Sequence, residues 1–239
     1  TSWTAKYNAS GIDLDGPITY SITYLDLAGN PGVINTSGGG VTFDKTRPTI
    51  TDISGTTGSF NEGANITLQV TFSESVNVSG EPFIVLNTGG KATYTNGSGS
   101  ETLYFQYIVG SGENTSSLDC SGSLDLSGEG SIFDAAGNVT SLLLPANSLS
   151  GNTNIVIDTA SPQIITPSLA SNNTTTSIAR EGGTITLSFT TNEPIHPPTV
   201  IFSCSGANIS GHRVTTASGG DLTIWTSSFS VSGTLDKLG

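Results

Sequence analysis

Six carboxylates stand at recurring turn and linker positions: Asp44, Asp134, Glu62, Asp158, Glu181 and Asp26. Asp26 and Asp134 open the same motif, in LDLAGN and FDAAGN. Asp44 and Asp158 follow strand-like runs in FDKTRPTI and IDTASPQI. Glu62 and Glu181 precede glycine turns in NEGANITL and REGGTITL. Anionic oxygens gathered at a loop suit calcium, which takes about six to eight hard oxygen ligands from carboxylates, carbonyls and water. The plainer reading is that Asp26 and Asp134 hydrogen-bond their own turns and that Glu62 and Glu181 are solvated loop charges.

Other reactive residue types lack a working arrangement. His196 in EPIHPPT and His212 in SGHRVT belong to no nucleophile elbow, metal-ligand pair or Cys/His grouping. The turns GSGSE and GEGS lack the Lys-Ser/Thr of a phosphate loop. No enzyme is therefore expected. Cys120 and Cys204 fit no zinc spacing, and are read as buried thiols or as links between neighbouring units or filaments. Trp3 and Trp225 offer either a sugar-stacking platform or core residues, and their place on alternating strands favours the core.

The charge balance narrows the partners. With 19 acids against 7 bases, the chain carries a net charge of −12, which argues against a nucleic-acid backbone as ligand. No apolar run reaches the roughly 18 residues needed to cross a bilayer, and no basic-then-apolar leader opens the sequence, so no membrane segment is expected in this stretch. Ten Asn-x-Ser/Thr sequons occur, at Asn8, Asn35, Asn65, Asn77, Asn96, Asn114, Asn138, Asn172, Asn173 and Asn208. Chance in so Asn- and Ser/Thr-rich a chain gives about five, so the excess points to a secreted protein with N-glycans on some of these sites.

The elements that must position these residues are strands. Short apolar/polar alternations separated by Gly, Asn and Ser turns, with no helical period, predict an all-β chain. In the middle of the chain the strands are TITDI, NITLQVTF, PFIVLN, KATYT, ETLYFQYIV, SSLDCSG and TNIVID. Leu68, Val70, Phe72, Leu103, Phe105 and Tyr107 are expected to face inward. About seven short strands in roughly 110 residues is the pattern of an immunoglobulin-like β-sandwich.

Internal repetition orders the rest. The linker FDKTRPTI matches IDTASPQI, NEGANITLQVTFSESV matches REGGTITLSFTTNEPI, and LDLAGN matches FDAAGN. Residues 48–158 then form a complete unit B. Residues 1–47 read as the C-terminal half of a unit A, and residues 159–239 as the N-terminal half of the next. Overlaying Trp225 on Trp3 gives a period of 222 residues (225 less 3), twice about 111, and brings Phe229 onto Tyr7. The run WTSSFSVSGTLDKLG is accordingly expected to be interrupted inside a repeat. Residues 1–47 of the next period would supply its missing strands, through a continuous polypeptide or by strand exchange between chains. At the junctions, Asp44 with Asp134 would serve the A-to-B linker, and Glu62 with Asp158 the B-to-A linker.

Taken together, FDKTRPTI, NEGANITLQVTFSESV, GGKATYTNGSGS, the DAAGN turn and NIVIDTASP resemble the bacterial-type immunoglobulin-like tandem repeats of long cell-surface adhesins. Similar repeats occur in surface filament proteins, flagellar hairs among them. The resemblance covers nearly the whole chain and is clearest from 41 to 162. It implies tandem sandwiches, one complete and two partial, serving as a structural segment of an extracellular filament or stalk such as a flagellar-hair (mastigoneme) shaft. It also implies partners that are adjacent repeats of the same polypeptide or further copies of it, with no required cofactor; calcium at the junctions is the expectation drawn from the converging carboxylates themselves. A bacterial adhesin stalk and a glycan- or receptor-binding module are the alternatives.

Overall fold

Alternation of apolar and polar residues becomes alternation of burial wherever a strand has one covered face. The computed structural model describes residues 2–32, 40–120, 122–145, 149–204, 207–208, 214–217 and 221–231. Asn35, His212 and the segment from 232 onward lie outside the described residues, as do the side chains of Cys204 and Asn208. The chain is all-β with one helical turn, and it divides into two units, residues 1–159 and 160–239.

Unit 1 contains β1 (Gly16–Pro17), β2 (Thr42–Phe43), β3 (Ile50–Gly55), β4 (Gly58–Phe60), β5 (Asn65–Ser79), β6 (Phe83–Val85), β7 (Lys91–Asn96), β8 (Ser100–Ile108), β9 (Ser131–Phe133), the turn α1 (Leu149–Asn152) and β10 (Ile155–Ile157). Its main sheet runs β3-β5-β8-β7-β6, with β9 also on β5. The pairs Ile66↔Tyr107, Leu68↔Phe105 and Val70↔Leu103 put alternate residues of β5 and β8 on one face, and all six are buried. Leu118, Leu124, Leu149, Ile155 and Ile157, from the chain after β8, complete the core and make the unit sandwich-like. Leu68 and Ile155 meet over Gly55, where a Cβ would lie 2.8 Å and 3.0 Å from their methyl carbons. The absence of a side chain at Gly55 lets the two layers close.

The expected strand SSLDCSG is not a ladder. The Leu118 N–H donates to the Ile155 carbonyl, while Cys120 bridges to Leu86, just past the end of β6, so the run changes partner halfway. Leu118 and Cys120 are nevertheless both buried, as their alternation requires. Two short strands, β4 and β9, are additional to the sequence reading. β4 pairs in parallel with β10.

Unit 2 contains β11 (Ile164–Ser171), β12 (Thr184–Thr191), β13 (Ser203–Cys204), β14 (Ala207–Asn208), β15 (Val214–Ala217) and β16 (Ile224–Ser230). Its sheet runs β11-β12-β16-β15, the same spatial order by sequence as β3-β5-β8-β7. Phe189, Trp225 and Phe229 are buried on one face, with Phe202 tilted against Phe229 at 4.7 Å between ring centroids.

Candidate functional site

The turn at 134–138 is built by one aspartate. Asp134 Oδ1 accepts the Asn138 backbone N–H at 2.8 Å and its Oδ2 accepts the Asn138 side-chain amide at 2.8 Å, while Gly137 takes the positive φ of 92° that closes the loop. Asp26 does the same at 26–30: Oδ1 accepts the N–H groups of Ala28 and Asn30, Oδ2 accepts the Asn30 amide at 2.8 Å, and Gly29 also has φ 92°. Both aspartates therefore organise their own turns, as the plainer reading of the motif has it.

What distinguishes Asp134 is its surroundings. It is only 2 % exposed, and one carboxylate oxygen each from Asp44, Glu74 and Asp134 lies within 4.8 Å of the others. The segment 44–48, ahead of β3, brings Asp44 there. Its carbonyl accepts the Asn138 side-chain amide at 3.2 Å, and its carboxylate accepts the Thr46 N–H at 3.0 Å. Asp15 holds the next residues of the linker, accepting the Lys45 N–H at 2.8 Å and the Thr46 hydroxyl.

Electrostatics at this cluster are divided. Burial pushes the Glu74 carboxyl up, and the negative charges of Asp44, Asp134 and Asp15 add to that. Burial also opposes ionisation of Asp134, but hydrogen bonds from the Asn138 side chain, the Asn138 N–H and the Ala136 and Gly137 backbone outweigh it, so Asp134 stays below the usual carboxylate range. The arrangement presents an anionic cup at the base of the linker, of a spacing that a single hard cation can span.

Of the six carboxylates singled out by sequence, Asp44 and Asp134 are thus brought together. Glu62, Asp158, Glu181 and Asp26 belong to no group of three potential ligands among the described residues. Glu62 is exposed in the 61–64 turn. Asp158 follows β10, its N–H donating to the Phe60 carbonyl at 2.9 Å. The exit linker is held by another asparagine, Asn114, whose side-chain oxygen accepts the Thr159 N–H at 2.8 Å. Glu74 was not among the predicted ligands. Its signal was its phase: Val70, Phe72, Glu74 and Val76 occupy the same alternate positions of β5, three of them buried apolar residues.

The remaining candidates are dispersed. His196 is exposed, and Cys120 is packed in the unit 1 core. Trp225 is 1 % exposed, with its indole N–H donating to the Leu222 carbonyl at 2.9 Å, whereas Trp3 is 91 % exposed. The expectation of a core role thus describes Trp225. Trp3 departs from it because, among the described residues, none covers the exposed stretch 2–9. Among the sequons, Asn8, Asn65, Asn96, Asn114 and Asn172 are exposed, while Asn77, Asn138 and Asn173 are half-buried. Among the described residues no helix is long and apolar enough to cross a membrane. No protein-family model matches the chain, and no curated protein matches it in sequence.

Proposed function

We propose that this chain is a non-enzymatic structural segment of an extracellular filament or stalk at the cell surface, such as a flagellar-hair shaft, built from immunoglobulin-like sandwiches in series. One observation carries the reading: the polypeptide enters and leaves the complete unit at opposite poles. Thr49 precedes β3, whose first residue Ile50 pairs with Phe72. By Gly55 the strand has reached Leu68, at the other end of the core. β10 leaves beside Phe60, at that far pole, because it runs parallel to β4. Units joined in this way extend end to end, and reach is what such an array supplies. The shared strand order of the two sheets supports repetition of one unit type.

Calcium at Asp44, Glu74 and Asp134 is part of the proposal, as the ion that would neutralise the cup and tie the entry linker to the 134–138 turn. Its test is a calorimetric titration of the chain with calcium, read with the melting temperature. Binding heat that disappears in Glu74→Gln, with a raised melting temperature in the parent only, supports it. Absence of both in the parent removes calcium from the account.

The filament reading is tested on native material by electron microscopy with the mass of the intact chain. Long fibres with an axial repeat near two sandwich lengths are expected. A monodisperse particle of 24.4 kDa overturns it.

A further inference from the structure

The two units carry sheets that share a four-strand order but have unequal cover. In unit 1, Ile66 and Leu68 of β5 are fully buried beneath Ile155, Ile157 and their neighbours. Their counterparts by the NEGANITL/REGGTITL match are Ile185 and Leu187 of β12, and both are only partly covered. Leu169, directly opposite Leu187 on β11, is 63 % exposed, and Ile164, paired with Thr191 on the same face, is exposed as well. The apolar face centred on Phe189 and Trp225 is therefore buried at its middle, partly covered along β12 and open across β11.

The residues of the kind that close such a face also occur in the chain, uncovered. Ile18, Tyr20, Ile22 and Tyr24 alternate in sequence just after β1 and are all exposed, Ile22 at 53 %. Drawn into a strand, that alternation would set all four on one side. The segment returns through the Asp26–Asn30 turn, with Leu25 bridged to Pro31 and the Ile18 N–H donating to the Val41 carbonyl. By the LDLAGN/FDAAGN match Tyr24 corresponds to Ile132, and by the FDKTRPTI/IDTASPQI match Val41 corresponds to Ile155. Ile132 and Ile155 are wholly buried in unit 1, whereas Tyr24 and Val41 are more than half exposed. Each open surface thus lacks the partner that its equivalent possesses in the complete unit.

We infer that residues 16–32 and 40–43 of one copy of this chain dock on the open face of the β11-β12-β16 sheet of a second copy, closing a second sandwich between them. The inference rests on the filament reading and names its repeating joint. Because the donor and acceptor surfaces differ, the contact is heterologous and head to tail, and it propagates as an open chain. The acidic chain buries mainly Ile, Leu, Val and Tyr there, so the joint is expected to tolerate salt.

The test uses the whole 239-residue chain and two variants at exposed positions, Leu169→Asp on the acceptor face and Ile22→Asp on the donor hairpin. Because both side chains face solvent in the single chain, neither aspartate should prevent folding, and circular dichroism checks that. Sedimentation of the parent should show a concentration-dependent ladder of masses. Each variant alone should remain at 24.4 kDa, and an equimolar mixture should stop at the dimer, twice 24.4 kDa, because the mixture retains one intact donor and one intact acceptor. A monomeric parent overturns the inference, as does a ladder that persists in either variant. Fibres in native material combined with a monomeric parent would remove this joint and leave the filament reading standing.

Discussion

The side-chain amide of Asn138 ties together segments 94 residues apart, donating to the Asp134 carboxylate at 2.8 Å and to the Asp44 carbonyl at 3.2 Å. Both of its N–H donors are engaged, so the turn and the entry linker are fixed by one group. Asn138→Ala should destabilise unit 1 by about 1.5–3 kcal/mol, the scale of a hydrogen bond to a charged group. Hydrogen exchange should localise the loss to residues 44–48 and 134–138. Because Asn138 opens a sequon, an N-linked glycan there would remove one donor and mimic part of this effect. Mass spectrometry of native material should find Asn138 bare when exposed sequons such as Asn8 and Asn96 are occupied.

The acidic cup makes stability depend on pH in two opposed ways. Glu74 has a folded pKa above its unfolded value, so the folded state holds the extra proton and stability falls as pH rises through the carboxylate range. Asp134 has a folded pKa below its unfolded value, so its contribution is present above that value and is lost as pH falls through the folded one. In chelator at neutral pH, Glu74→Gln should therefore stabilise unit 1 by about 0.5–1 kcal/mol, the scale of a partly screened charge interaction. The gain should vanish in acid. Chemical denaturation at pH 4 and pH 7 checks it.

At the opposite pole Tyr107 donates its hydroxyl to Glu113, shares a contact of 3.1 Å with the Thr88 hydroxyl, and is pushed up to about 12, chiefly by burial and then by the Glu113 hydrogen bond. Its stabilisation is intact below about pH 10 and is lost as pH rises toward 12. Tyr107→Phe should cost about 1–2 kcal/mol, since Glu113 then keeps the Gly110 N–H as a donor but loses the phenol. Ultraviolet titration of the parent should show a tyrosine ionising near pH 12 that is missing from Tyr107→Phe.

Equivalent leucines in the two units should respond unequally. Leu68→Ala should cost about 2–5 kcal/mol, because its site is closed on every side. Leu187→Ala should cost less, about 1–2 kcal/mol in the single chain, because that side chain is only partly covered. Hydrogen-exchange protection along β5 and β12 separates the two, and buried Trp225 provides a fluorescence signal confined to unit 2.

Much of this architecture could be read from periodicity. Leu68, Val70, Phe72, Leu103, Phe105 and Tyr107 alternate in sequence and are all buried, because a strand with one covered face leaves little choice of phase. The DxAGN motif was equally readable, since aspartate two to four residues before free N–H groups forms a local turn whatever the tertiary context. Partner changes were not legible. Nothing local in SSLDCSG says that Leu118 bonds Ile155 while Cys120 turns to Leu86. The joining of Asp44 to Asp134 was expected from the order of strands, whereas Glu74 required noticing an acid in a buried phase. Trp3 and Trp225 stand in the matching runs TSWT and TIWT and have opposite exposures, a difference that depends on which sheet is present to cover them.

The parallel pairing of β4 with β10 has a mechanical meaning. Tension applied through the entry linker draws the first strands toward one pole, while tension through the exit linker draws β10 toward the other. Two parallel strands pulled in opposite senses slide along their common axis, so the bonds joining Gly58–Phe60 to Ile155–Ile157 bear the load together and must rupture nearly at once. An antiparallel pair loaded at one end would instead peel open bond by bond. Pulled from its two ends, unit 1 should therefore show one high-force event in single-molecule extension, whose height drops when Val156→Pro breaks the pair.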